Sequence, residues 1–226
     1  LNPIVGTAYS LFIVGTTSAF GTILNYRKGL VDVRKAISFA IPSFIAVFLT
    51  RKFLVPALPE ILYQNDSISI ERDIFIMVLF GTVMLMAAMA MLRKKSTPSE
   101  VTEKPNTVFT IIKIFGIGVL IGLIGAGGGF LIIPALYYVA RLPMRIAIGT
   151  SLMIIALNSL IGFTGDIGNF PMDWWFLMKF SSLSIAGIFI GIYIGRFFNE
   201  NMLRRIFGIF VLIMAIAILS CEIFGT

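Results

Sequence analysis

Residues 116–134 read GIGVLIGLIGAGGGFLIIP, and this stretch limits how the chain can fold. All of its residues are apolar or glycine, so it belongs in a bilayer or in a deep core. The consecutive glycines Gly127, Gly128 and Gly129 disfavour a continuous helix, because each costs roughly 1 kcal/mol relative to alanine. Pro134 removes one more backbone donor. Irregular backbone at membrane depth is tolerated where protein buries it or where it lines a wet cavity. The stretch therefore predicts a break at which bare N–H groups face a substrate.

An alternative interpretation of the same stretch is close packing between helices. Gly118, Gly122 and, less regularly, Gly125 form a small-residue face of the kind that lets membrane helices approach closely. This interpretation accounts for the first half of the stretch. It does not account for three consecutive glycines followed by FLIIP.

The composition indicates an all-α integral membrane protein that crosses the bilayer several times. Of its 226 residues, 58% are hydrophobic and 13% are charged, whereas soluble domains carry about 25% charged residues. The net charge of +7 comes mainly from short basic loops between apolar spans, so we expect orientation signals and no nucleic-acid partner. Cys221 is the single cysteine, which excludes an internal disulfide, and the chain has no histidine. We therefore expect no metal and no cofactor.

Apolar spans are predicted at residues 3–24, 33–54, 74–92, 109–139, 146–164, 174–194 and 206–219. Residues 56–73 are predicted to be a loop, and Arg196–Arg205 a second, basic loop. The segment 109–139 would be about 45 Å long as one helix, against a hydrocarbon core of about 30 Å, so it must tilt strongly or fold back. The organisation we predict is an N-terminal repeat (1–95), a cytoplasmic linker (96–108) and a C-terminal repeat (109–226).

The two repeats follow from a self-match at an offset of 141 residues, and residues related by this offset are called repeat counterparts below. Among the matched pairs are Ser10 and Ser151, Ser18 and Ser159, Gly21 and Gly162, Asp32 and Asp173, and Ser43 and Ser184. The counterpart of the glycine-rich segment would lie before Leu1. We therefore expect a further segment upstream, and each repeat then has about four membrane segments.

Loop charges predict the orientation of these segments. Basic loops placed in the cytoplasm give simple crossings everywhere except at the glycine-rich segment, which has basic residues at both ends. We therefore expect a re-entrant segment that turns at the glycines. Three crossings per repeat would invert the second repeat relative to the first, as in many secondary transporters. Arg51 and Lys52 count against this assignment, since they lie near an end placed outside.

The block GLIGAGGGFLIIPAL (122–136), followed by AIGTSL (147–152), resembles the TauE/SafE family of bacterial membrane proteins, the sulfite exporter family. The resemblance covers nearly the whole chain, apart from the missing first copy of the glycine motif. It implies a multi-pass protein of the bacterial inner (plasma) membrane. It also implies transport of small sulfur-containing anions, such as sulfite or organosulfonates like sulfoacetate.

An oxyanion in a membrane needs hydrogen bond donors that do not hold it too strongly. Backbone N–H groups at Gly127, Gly128 and Gly129 meet this need, because no Cβ blocks their approach. The other candidate substrate-binding residues are hydroxyl and amide side chains on two repeat-related spans: Thr150, Ser151 and Asn158 on one, and Ser10 and Thr17 on the other. The alternative is that these side chains join helices to one another.

Asp32 and Asp173 are repeat counterparts, each just before an apolar span. We interpret them first as helix N-caps. Proton coupling is a weaker hypothesis for both, because a carboxylate inside a membrane is a functional candidate by default.

The function predicted is a secondary transporter, and no enzyme activity is expected, since a serine nucleophile at Ser151 would lack a histidine base. Without the Lys-Ser/Thr of a P-loop, coupling must use an ion gradient. The alternatives are a non-transporting membrane scaffold or accessory subunit, or an anion channel. The expected partners are a small anionic substrate and the lipid bilayer, and the sequence leaves a homodimer open.

Overall fold

The structure, a computed structural model, describes residues 3–54, 57, 59, 61–65, 68–93, 107–124, 129–164 and 172–224. This part of the chain is mainly helical. The helices are α1 (Pro3–Arg27), α2 (Val33–Leu49), α3 (Arg72–Leu92), α4 (Thr107–Ile124), α5 (Gly129–Tyr138), α6 (Met144–Thr164), α7 (Trp174–Gly195) and α8 (Glu200–Phe224). A π-helical turn, Thr50–Leu54, follows α2 directly.

Five helices in the described residues are long and apolar enough to cross a membrane. They are Val33–Leu54, Ile74–Leu92, Met144–Thr164, Trp174–Gly195 and Glu200–Glu222. The helix α1 matches them in length, with 25 residues. The prediction of an all-α integral membrane protein is confirmed, and the chain is a multi-pass membrane protein.

A short β-hairpin interrupts the helical pattern where the sequence predicted a loop. Strands β1 (Ile61–Asn65) and β2 (Ile68–Glu71) pair in antiparallel fashion. The prolines before this segment pointed to a loop, but ISIE in β2 alternates apolar and polar residues, which is the pattern of a strand. The hairpin is therefore a correction to the loop predicted over residues 56–73.

The last helix begins earlier than predicted. Helix α8 starts at Glu200, inside the basic loop that the sequence placed at Arg196–Arg205. An acidic residue in the first turn stabilises a helix N-terminus, and Glu200 occupies that place. Arg204 lies one turn further on and is 5% exposed, so its position in a helix rather than a loop gives it a buried environment.

The glycine-rich segment is two helices in the structure. Helix α4 ends at Ile124 and α5 begins at Gly129, while residues 125–128 lie outside the described residues. Pro134 is inside α5. The two helices contact each other, and α5 is much shorter than a membrane-crossing helix, at 10 residues.

The chain forms two compact units. The first unit contains Leu1–Ile41 and Leu142–Glu200, and the second contains Pro42–Arg141 and Asn201–Thr226. Phe39, Ile154 and Leu177 are fully buried in the first unit. The core of the second is an apolar cluster of Phe80, Met84, Ala88, Val211 and Ala215. Each unit takes helices from both predicted repeats.

Candidate functional site

The first unit is centred on α1 packed against α6, and the two helices run antiparallel. A Cβ at Gly21 would lie 3.0 Å from Leu152 Cδ1, and a Cβ at Gly162 would lie 3.4 Å from Leu11 Cδ1. The contacts advance along α6 as they step back along α1, which defines the antiparallel arrangement. The offset of 141 residues converts each of these two contacts into the other.

The same exchange relates two hydrogen bonds between the predicted repeats. The backbone N–H of Asp32 donates to Thr150 Oγ1 at 3.0 Å. The backbone N–H of Asp173 donates to the Tyr9 hydroxyl at 2.7 Å. Asp173 is the repeat counterpart of Asp32, and Tyr9 is the repeat counterpart of Thr150. Each aspartate is thus held by a hydroxyl from the helix of the other repeat.

Both aspartates are helix N-caps in the structure. Asp32 Oδ1 accepts the backbone N–H of Lys35 at 2.9 Å, and Asp173 Oδ1 accepts that of Phe176 at 3.0 Å. A carboxylate in this position satisfies one of the free N–H groups of the first turn. The contacts therefore show the structural role that the sequence favoured for both residues.

Two predicted site residues at the start of α6 are buried and already hydrogen-bonded. Thr150 is 0% exposed and receives the Asp32 N–H, as above. Ser151 is 1% exposed, and its hydroxyl donates to the Ile148 carbonyl at 2.8 Å. These contacts correspond to the structural interpretation of the hydroxyl residues.

Thr17 differs from its neighbours on α1. Its Oγ1 atom is buried and has no hydrogen bond partner among the residues that the structure describes. By contrast, Thr16 donates to the Phe12 carbonyl at 2.7 Å, and Thr22 donates to the Ser18 carbonyl at 2.7 Å. A buried polar group without a partner costs stability and calls for an explanation.

Asn158 lies on α6 at the level of Thr17. A Cβ at Gly15 would lie 2.9 Å from Leu160 Cδ2, and Gly21 meets Leu152 further along. In an antiparallel pair these two contacts bracket Thr17 and Asn158. The two residues are also repeat counterparts, and both side chains are partly buried. The structure thus places a hydroxyl and an amide near the middle of the α1–α6 pair.

The remaining predicted site residues are not gathered at this place. Ser10 is exposed on α1. Gly127 and Gly128 lie outside the described residues. Gly129 is the first residue of α5, which belongs to the second unit.

Two glycines of α4 make close helix contacts in the second unit. A Cβ at Gly118 would lie 2.7 Å from Ala46 Cβ and 2.9 Å from Ser43 Cα. A Cβ at Gly122 would lie 2.7 Å from Thr50 Cβ. The first half of the glycine-rich stretch therefore contains packing glycines, as the alternative interpretation predicted.

Tyr9 is the residue of this site that the sequence reasoning missed. Its side chain is 8% exposed, and its ring lies 5.6 Å from that of Phe176. The signal that could have found it is the repeat itself, because the offset places Tyr9 on Thr150, a residue already singled out.

The family model described as sulfite exporter TauE/SafE matches residues 1–218. The chain belongs to the sulfite exporter TauE/SafE family. This result confirms the resemblance that the glycine motif carried, and it makes the protein a member of a membrane transporter family.

Relatives in bacteria and archaea have names that agree with this assignment. The chain is 28% identical over 225 residues to a probable membrane transporter protein of Xylella fastidiosa (strain 9a5c), covering 96% of this chain and 80% of the relative. It is 23% identical over 237 residues to the probable membrane transporter protein YunE of Bacillus subtilis (strain 168), covering 99% and 81%. A match of 31% identity over 112 residues to the probable membrane transporter protein MJ0441 of Methanocaldococcus jannaschii covers 47% and 42%. No solved structure matches the chain.

Proposed function

We propose that the protein is a secondary transporter of small sulfur-containing anions, such as sulfite or an organosulfonate of the sulfoacetate type, in the bacterial inner membrane. The family description names sulfite export, while the relatives are named as membrane transporters without a substrate. The proposal of a carrier driven by an ion gradient rests on the absence of a P-loop motif from the sequence.

The transport mechanism we propose uses two repeats of opposite orientation. Its support is the antiparallel α1–α6 pair, in which Gly21 meets Leu152 while their counterparts Gly162 and Leu11 meet each other. A two-fold relation between the helices would produce such exchanged contacts. In inverted-repeat transporters the substrate site lies at the repeat interface, and one half rocks against the other.

The observation that carries the proposal is the buried Thr17 Oγ1 atom without a partner. A hydroxyl donor here, with the Asn158 amide at the same level, offers neutral donors to an oxyanion. Neutral donors can replace part of the hydration shell of the anion without the strong attraction of a buried cation. The N–H groups of Gly127, Gly128 and Gly129 are proposed to complete the set.

A ligand-dependent thermal shift on the full-length purified protein tests this proposal. The panel is sulfite, sulfate, thiosulfate, sulfoacetate, taurine and acetate. A specific ligand at 100 times its Kd should raise the free energy of unfolding by about 2.7 kcal/mol. Losing one hydrogen bond to a charged ligand costs about 1.5–3 kcal/mol, so Thr17→Val should weaken binding roughly tenfold or more.

Thr22→Val is the matched control, since the Thr22 hydroxyl bonds within its own helix. It should leave the ligand shift unchanged. Stabilisation by one sulfur oxyanion that is lost in Thr17→Val and kept in Thr22→Val supports the proposed site. Equal stabilisation of both variants would remove Thr17 from the site, and no shift with any anion would refute the substrate class.

A further inference from the structure

Helix α7 carries three glycines at four-residue spacing, Gly187, Gly191 and Gly195. A Cβ added at any of them would meet nothing within 4 Å. The first two are exposed, and Leu183, one turn before Gly187, is 71% exposed. In membrane helices small residues four apart form a face on which another helix packs closely. In the described residues, this face has no such helix.

The repeat counterpart of this face is on α2 and its π-helical turn, and there it is covered. Ala46 is the counterpart of Gly187, and Thr50 is the counterpart of Gly191. Ala46 is 0% and Thr50 is 3% exposed. Both are buried beneath α4, whose Gly118 and Gly122 face them at the close approach described above. Two small residues on α2 thus receive two glycines on α4.

The residues around the covered face also have counterparts around the exposed face. Gly118 approaches the backbone of Ser43, where a Cβ would lie 2.9 Å from the carbonyl oxygen. The counterpart of Ser43 is Ser184, also a serine. The exposed face of α7 thus has the small-residue spacing of the covered face of α2, with glycine in place of Ala46 and Thr50.

We propose that the face formed by Ser184, Gly187 and Gly191 is the docking site for a glycine-bearing membrane helix that packs on α7 as α4 packs on α2. The occupant is the repeat counterpart of α4, a helix encoded upstream of Leu1. Glycine at both positions of α7 lets the backbones approach at least as closely as Ala46 and Thr50 allow. The proposal rests on the inverted repeat proposed above, and it concerns helix packing rather than the transported substrate.

Photocrosslinking in the full-length protein identifies the occupant. Leu183 lies at the rim of the face and is replaced with p-benzoylphenylalanine, which leaves the glycines intact. After illumination in native membranes, mass spectrometry of the crosslinked peptides should find a peptide from upstream of Leu1. The matched control is Phe189→p-benzoylphenylalanine, a similar aromatic side chain that is 47% exposed and points away from the face. This control should give no such peptide.

Steric substitutions provide an independent measurement. Gly187→Leu and Gly191→Leu should each lower the Tm of the full-length protein by roughly 5 °C or more, because overpacking a tight contact is destabilising. Ala186→Leu, an exposed small residue on another side of α7, should leave Tm nearly unchanged.

The outcomes separate the possible occupants. An upstream peptide crosslinked at position 183, together with the Tm loss, supports the proposal. A crosslink from position 183 to α7 of a second copy would overturn it in favour of a dimer interface. Crosslinks to lipid alone, with unchanged Tm in both leucine variants, would overturn it and leave the face exposed to lipid. None of these outcomes depends on which anion is transported.

Discussion

The backbone N–H of Asp32 bonds to Thr150 Oγ1 at 3.0 Å, and this contact has a repeat counterpart between Asp173 and Tyr9 at 2.7 Å. Each bond joins the start of one helix to a hydroxyl on a helix from the other repeat. The two acceptors have different side chains, a threonine and a tyrosine, but their hydroxyls do the same work. The structure thus keeps a pair of matched contacts that residue identity alone does not reveal.

Removing either hydroxyl should destabilise the protein to a similar extent. Tyr9→Phe and Thr150→Val each leave a backbone N–H without its acceptor, which costs about 1 kcal/mol. For a chain of this size that corresponds to a Tm lower by roughly 2–4 °C, measured by thermal unfolding in detergent. Thr150→Ser keeps the hydroxyl and should lose less. An unchanged Tm in Tyr9→Phe would mean that its bond contributes nothing to stability.

Gly149 should not tolerate a side chain. A Cβ there would collide with the Leu30 carbonyl oxygen, and it would lie 3.2 Å from Asn25 Cβ. We expect Gly149→Ala to lower the free energy of unfolding by about 1–3 kcal/mol, since the colliding atom belongs to the backbone. Thermal unfolding of the purified variant measures this loss.

Gly116→Ala is the control for that substitution. Gly116 is also within a helix, but a Cβ there would meet nothing within 4 Å. The alanine should leave stability unchanged or raise it by up to about 1 kcal/mol, through helix propensity. Equal losses in the two variants would contradict the steric argument for Gly149.

The two aspartates can be tested as caps and as proton carriers in one experiment. Asparagine caps a helix about as well as aspartate, whereas alanine costs about 1 kcal/mol. We expect Asp32→Asn and Asp173→Asn to keep both stability and gradient-driven transport, and the alanine variants to lose stability. Transport assays in proteoliposomes with an imposed proton gradient distinguish the roles. Loss of proton-driven transport in a stable Asn variant would show that the carboxylate takes part in coupling.

Arg145 should stabilise the turn that follows α7. Its Nη2 atom donates to the Phe198 carbonyl at 2.6 Å and lies 3.4 Å from the Arg196 carbonyl. Arg145→Met should reduce the free energy of unfolding by about 1.5 kcal/mol, since hydrogen bonds from charged donors are the stronger ones. Arg141→Met removes the same charge from an exposed position of the same loop and should change stability by less than about 0.5 kcal/mol. Equal losses would assign the effect to net charge.

The membrane-crossing helices were predictable because their signal is the length of apolar sequence. The spans around Ile74–Leu92 and Trp174–Gly195 appear in the structure within about two residues of the predicted bounds. The start of α8 was not predictable in this way, because basic residues such as Arg204 suggest a loop although a helix end can hold them. The hairpin at Ile61–Glu71 was hidden by the prolines and polar residues around it.

The site was only partly predictable, since sequence position does not show which polar groups have partners. Thr16, Thr17 and Thr22 look alike on α1, but Thr16 and Thr22 bond within their own helix, while Thr17 Oγ1 has no partner in the described residues. Tertiary packing decides this difference. The repeat gave Thr17 and Asn158 a relation that the structure places at the same level of the α1–α6 pair.

Counterflow in proteoliposomes tests the central claim, transport of small sulfur anions, most directly. Vesicles containing the full-length protein are loaded with unlabelled sulfite or sulfoacetate and diluted into a trace of the same radiolabelled anion. A carrier predicts transient accumulation of label above its equilibrium level, reduced roughly tenfold by Thr17→Val and unchanged by Thr22→Val. Uptake that rises to equilibrium without an overshoot would indicate a channel. No protein-dependent uptake of any sulfur anion, from a sample shown to be folded, would contradict the account.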